Sequence, residues 1–276
     1  MATALSPSGS PEAVLAPARA AARRGLPAGP ARQAASAAVL VLLWQGLSDW
    51  VFTPSVLPSP VTVAARAWDL TLSGALPRHM ATTLGRVLVG YVTGAVLGAA
   101  FGLVIGCLPR VEGLLNPSLG FVRSIPPIAF VPVSIILFGI GEASKYTIVG
   151  YLVFIVLALS AAAGVREVPR IRIRAAQALG APGPTVLVKV ILPSAFPFIL
   201  NGLRVALNLA FMAVVSAELI GARAGLGHLI MDSQTMLETD KMLVGILCLG
   251  ILGGVLDRGA DLVVRRGLAR FTHTAA

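Results

Sequence analysis

The most specific pattern in this chain is Arg174-Ala175-Ala176, then Gly180, then Leu192-Pro193. None of these residues is a nucleophile, a general acid or a metal ligand. What they offer is shape. Two Ala make a flat surface that another backbone can approach closely, Gly180 accepts a left-handed turn, and Pro193 halts what precedes it. The pattern suits docking. Two charged residues, Glu218 and Arg204, fall inside apolar stretches, where an ionisable group is costly and points to function. Glu218 could line a gate or pathway, pair structurally, or sit in the headgroup region. Arg204 could reach the interface along its aliphatic stem or face a pathway. They are fourteen residues apart, about 21 Å along a helix, so they cannot pair within it.

Other chemistry is missing from the pattern. None of the three Lys (Lys145, Lys189, Lys241) follows a Gly, so the Gly-Lys phosphate cradle of ATP-binding loops is absent. His79, His228 and His273 are scattered, and Cys107 and Cys248 lack ligand spacing and suit small packing positions. The chain is not expected to be an enzyme or to hold a cofactor or metal.

These residues sit in a chain of 276 residues that is 56% hydrophobic and only 12% charged, against about 25% charged for soluble domains. The apolar residues come in runs, which predicts an all-α membrane protein with about six spans. They are placed near 34–52, 84–108, 126–140, 146–164, 198–220 and 242–264. The segment 61–73 reads as a short amphipathic helix with Arg66 and Asp69 on its polar side. Residues 111–124 fit either a surface helix or a longer third span. Residues 1–33, rich in Ala, Pro, Ser and Gly, cannot bury a core and read as a disordered tail, leaving 34–276 as the membrane domain (core about 80–264). The net charge of +10 would suggest nucleic acid in a soluble protein. Here it reflects Arg at the cytoplasmic helix ends, facing membrane lipid. With both termini inside, fifteen of the 22 basic residues fall on the cytoplasmic side, as the positive-inside rule requires.

Two further features position the docking pattern. Gly90, Gly94, Gly98, Gly102 and Gly106 recur every four residues, so they form one stripe along a helix and invite close helix packing. Within the basic loop 165–197, Ile171–Leu179 predicts a short helix ending at Gly180, Ala181-Pro182-Gly183-Pro184 a corner, and Thr185–Val190 a second short helix halted before Pro193. The result is a bent knob able to receive motion from a partner. The bland alternative is a loop lying on anionic lipid.

The run Arg174-Ala175-Ala176-(x3)-Gly180-(x9)-Val190-(x)-Leu192-Pro193 resembles the "EAA" signature of inner-membrane permease subunits of bacterial ABC importers. Ser124-Ile125-Pro126-Pro127, Phe138-Gly139-Ile140-Gly141-Glu142 and Gly225-Leu226-Gly227 resemble the branch serving nitrate, sulfonates and taurine. The resemblance runs from about Leu57 to Arg266. It implies a bacterial inner-membrane location, a permease homodimer, a cytoplasmic ATP-binding subunit seated on the knob, and an extracytoplasmic solute-binding protein on the other face. One departure stands out: Arg174 occupies the position of the family's acidic residue, with Glu167 as a nearby acid that could take its place.

Overall fold

A computed structural model describes residues 30–272. The expected tail therefore lies almost wholly outside the described residues, as does His273. Among the described residues every regular element is helical: α1 Pro30–Trp50, α2 Pro60–Leu72, α3 Ala75–Gly106, α4 Pro109–Arg123, α5 Pro127–Phe138, α6 Glu142–Arg166, α7 Arg170–Ala178, α8 Gly183–Val186, a π-helical turn Leu187–Ile191, α9 Leu192–Gly221, α10 Leu226–Thr235 and α11 Thr239–Thr272.

The chain divides into two compact units, residues 1–60 and 61–276. In the first, α1 is followed by a Pro-rich segment that doubles back on it. The Trp44 indole N–H donates to the Pro58 carbonyl at 3.0 Å, and the Ser48 hydroxyl to the Leu57 carbonyl at 2.8 Å. The expected first span corresponds to α1, but α1 is not among the helices apolar and long enough to cross a membrane. Gln45, Ser48 and Asp49 interrupt its apolar run, and Gln45 is hydrogen-bonded to Asp49 at 2.8 Å.

The second unit holds four such helices: α3, the continuous Gly183–Gly221, α6 and α11. A fifth crossing exists if α4 and α5, bent by 97° at their junction, count as one. Among the described residues, four or five helices thus meet this test where about six spans were expected. The bend falls at Ser124-Ile125-Pro126-Pro127, where two prolines remove helix donors and bias the preceding residue away from helix. This turns the ambiguous 111–124 stretch into a separate helix.

The core lies among α3, α6 and α9, with α6 the most deeply buried of the four spans. The glycine stripe of α3 runs along α6 in parallel register. A Cβ built on Gly90 would stand 2.6 Å from the Val149 Cβ, and one on Gly106 2.9 Å from the Val165 Cβ. Between them, Cβ atoms on Gly94, Gly98 and Gly102 would meet the backbone carbonyls of Gly150, Phe154 and Ala158. The other side of α6 receives a row of small residues on α9, Ala206, Ala210, Ala213 and Ala217, all buried. Without water to expel, close van der Waals packing is what joins helices in a bilayer, and small residues on α3 and α9 allow it on both sides of α6.

Candidate functional site: a docking knob and a buried charge node at opposite ends

At one end of this core stands the knob. Helix α7 closes at Gly180, whose φ of +79° is the left-handed value that favours glycine. The Gly180 N–H donates to the Gln177 carbonyl at 2.9 Å, and the Ala181 N–H reaches back to the Ala176 carbonyl at 3.0 Å. This is the paired-bond helix terminus that a left-handed residue makes possible. Pro182 then begins the corner into α8. The second arm differs from the sequence expectation: it is not halted before Pro193. It passes through the π-helical turn Leu187–Ile191 directly into α9, with Pro193 in the first turn. Within this continuous helix Pro193 has no N–H to donate and its ring crowds the preceding turn, and the wider π turn immediately before it is the local adjustment that takes up the distortion. The second arm of the knob is therefore continuous with a spanning helix.

The signature residues divide by placement. Arg174, Ala175, Gly180 and Pro193 are exposed, whereas Ala176 and Leu192 are half-buried. Ala176 and Ile173 pack on Val165, Val168, Val186, Ile191 and Ala195 at the ends of α6 and α9. A cleft of about 610 Å³ opens between α7 and the α3–α4 turn, with Arg166, Arg170 and Arg174 among its lining residues. Glu112, buried at its floor, pairs with Arg166 at 2.7 Å. Cys107 also lines the cleft and is exposed rather than packed; Cys248 is half-buried.

At the far end, Glu218 is wholly buried, and its partner is Arg86, 3% exposed. Arg86 Nη1 donates to Glu218 Oε1 at 2.7 Å and also to the Ala224 carbonyl. Its Nε reaches Glu142 Oε2 at 2.6 Å while Nη2 takes Oε1, a bidentate fork. The Thr83 hydroxyl lies 2.9 Å from both Glu218 oxygens and accepts the Leu226 N–H at 2.8 Å. The Gly227 N–H donates to Glu218 Oε2 at 2.9 Å. Next to this node, His79 Nδ1 is 3.0 Å from both N and O of Gly225. One guanidinium thus joins α3, α6, α9 and the 222–225 turn.

The node explains phrases that carried the resemblance without a physical reason. A side chain at Gly225, where φ is +115°, would run into the Glu218 carboxylate. A Cβ at Gly227 would stand 2.7 Å from the Glu218 Cβ. Glu142 begins α6 directly after Gly141 and supplies the second carboxylate. Sequence reasoning singled out Glu218 and missed Arg86. A buried acid in an apolar helix demands a cation, and Arg86 stands in the same apolar helix as the glycine stripe; that was the available signal.

Arg204 is elsewhere. Its Nη1 lies 2.7 Å from Asp261 Oδ1 and its Nε 3.8 Å from Asp257 Oδ1, both on α11. Asn208 Nδ2 donates to Asp257 at 3.3 Å, and Asp261 also holds Arg265 at 2.7 Å. Glu218 and Arg204 are therefore not brought together. Each finds its counter-charge on another helix.

The bundle thus defines a helical membrane protein, with a helical knob at one end and a buried charge node at the other. The sequence profile described as "Binding-protein-dependent transport system inner membrane component" matches residues 94–267. The chain is 37% identical over 237 residues to the taurine transport system permease protein TauC of Escherichia coli (strain K12), covering 83% of this chain and 86% of that one. It is 34% identical over 230 residues to the putative aliphatic sulfonates transport permease protein SsuC of Bacillus subtilis (strain 168), covering 83% of each. Its fold is similar to a chain of the inward-facing MetNI methionine ABC transporter, with a TM-score of 0.63 at 22% identity, covering 71% of this chain and 97% of that one. The chain belongs to the family of inner-membrane components of binding-protein-dependent transport systems.

Proposed function

We propose that this chain is the membrane-spanning permease subunit of an ATP-driven importer for a small anion of the sulfonate, taurine or nitrate type. The observation that carries this reading is the 37% identity to a taurine permease over 83% of the chain. Two copies form the translocation pathway. A separate ATP-binding subunit seats on the knob at the cytoplasmic face, and a solute-binding protein delivers the ligand to the far end. Both termini lie in the cytoplasm. Because the π turn and α9 are continuous, displacement of the knob moves a whole spanning helix, and α9 ends at the node that ties the far-end turn. Glu218 belongs to the closure at that end. Arg204 faces the pathway with Asp257 and Asp261: Arg204 and Asp257 are each 40% exposed, and charged side chains within apolar helices turn to the bundle interior or a water-filled cavity.

The decisive experiment is reconstitution. The chain with its cognate ATP-binding subunit and binding protein is expected to take up anion only with ATP. Uptake by this chain alone, driven by an ion gradient, would overturn the reading in favour of a self-contained secondary transporter.

Gly180→Trp tests the knob. No atom crowds a Cβ there, so the effect comes from the left-handed backbone, about 1–2 kcal/mol of strain, and from bulk on an exposed surface. The expected result is loss of the ATP-binding subunit on co-purification while the permease remains folded. Arg204 is tested by charge exchange. Arg204→Asp and Asp261→Arg should each lower uptake severalfold, and the double exchange should recover part of it; no recovery would separate the two residues functionally.

A further inference from the structure

The knob helix has three distinct sides. Ile173 and Ala176 face inward onto the ends of the spanning helices. On the opposite side Ile171, Ala175, Ala178 and Leu179 follow one another at the i, i+4, i+7, i+8 spacing of a single helix face. This stripe is bare: Ile171 is 71% and Leu179 89% exposed. Arg174 borders it on one edge, with Arg170 farther round toward the cleft that both line, and Arg172 borders the other, all exposed. Among the described residues no carboxylate lies within ion-pair distance of any of the three. The one buried acid of the neighbouring cleft, Glu112, is already held by Arg166. Arg170 also sits in the first turn of α7, where the helix dipole disfavours a cation. The chain thus leaves an apolar centre with an unmatched basic rim, the anatomy of a protein–protein contact rather than of a solvated face.

The direction of the stripe chooses the occupant. Because the inward side rests on the ends of α6 and α9, the stripe is turned away from the spanning helices, at the end of the bundle where the docking reading seats the ATP-binding subunit. We infer that this face of α7 docks in an apolar notch of the ATP-binding subunit whose rim carries carboxylates opposite Arg170, Arg172 and Arg174. The inference rests on the docking reading above and adds the chemistry of the partner's surface. Arg174 is then a positive contact residue, and its side chain does not need a negative charge to engage.

The test uses the full chain co-expressed with its cognate ATP-binding subunit. The triple variant R170E/R172E/R174E is expected to lower recovery of the ATP-binding subunit about tenfold or more, since each reversal replaces an attraction by a repulsion. Recovery with the unaltered chain should fall as salt rises. The matching triple Lys variant, which keeps the charge, should retain the complex, and size-exclusion chromatography shows whether each permease is folded. If charge reversal leaves recovery unchanged while Gly180→Trp abolishes it, the acidic rim is refuted and docking stands. If neither change affects recovery, docking itself fails. If reversal spares recovery but removes a dependence of reconstituted uptake on phosphatidylglycerol in phosphatidylcholine vesicles, the face contacts lipid and the inference is overturned.

Discussion

Arg86→Ala should be among the most damaging single substitutions in this protein, lowering stability by about 3–5 kcal/mol. The side chain is almost fully buried and holds a carboxylate that is itself inaccessible. Truncation leaves Glu218 charged, desolvated and short of its cation, with only Thr83 and the Gly227 N–H remaining. It also frees the Ala224 carbonyl and Glu142. Thermal unfolding in detergent should show the loss directly. The double replacement R86L/E218L should be less harmful than R86A alone, because removing both charges removes the unpaired-charge penalty. Glu142→Gln should cost about 1 kcal/mol or less, since Glu142 is 50% exposed and water can replace its partner. If R86A proved no worse than E142Q, Arg86 would not be the tie point described above.

The second large effect is expected along the glycine stripe. A Cβ at Gly98 would be 2.8 Å from the Phe154 Cα and 3.0 Å from its carbonyl carbon, besides meeting the carbonyl oxygen. These are backbone atoms, so no rotamer change relieves them. Gly98→Val must push α3 off α6 and should cost at least the 1–3 kcal/mol typical of overpacking, seen as a lowered unfolding temperature and poor recovery of folded protein. Gly85→Ala, in the same helix, is the contrasting control. Nothing lies within 4 Å of its Cβ position, and the Ala should be neutral or gain up to about 1 kcal/mol from helix propensity. Equal losses at both positions would mean that the stripe does not set the α3–α6 distance.

The stripe and the knob were legible in sequence because both are local patterns. Spacing of four puts glycines on one side of a helix whatever surrounds it, and a glycine at the end of a short helix names its own turn. The span count was less legible. The expected first span, 34–52, contains enough polar residues to fall short as α1, and the third is divided by a Pro-Pro corner into helices at 97°. The halt expected before Pro193 did not occur, because the π-helical turn just before it absorbs the missing donor and the bulk of the ring without ending the helix.

The charged residues illustrate the limit most clearly. From composition and position alone, Glu218 and Arg204 were out of place in apolar helices, and nothing local said what answered them. The answers are Arg86, separated from Glu218 by 132 positions, and Asp261 on α11. Hydrophobic runs, a helical period and turn chemistry are properties of neighbouring residues, so the linear chain determined that this is a helical membrane protein with a bent helical knob and a close-packed helix. Which buried charge meets which, and which side of the knob helix is left bare, depends on residues far apart in the chain. Desolvation and packing decide those pairings only once the helices have assembled.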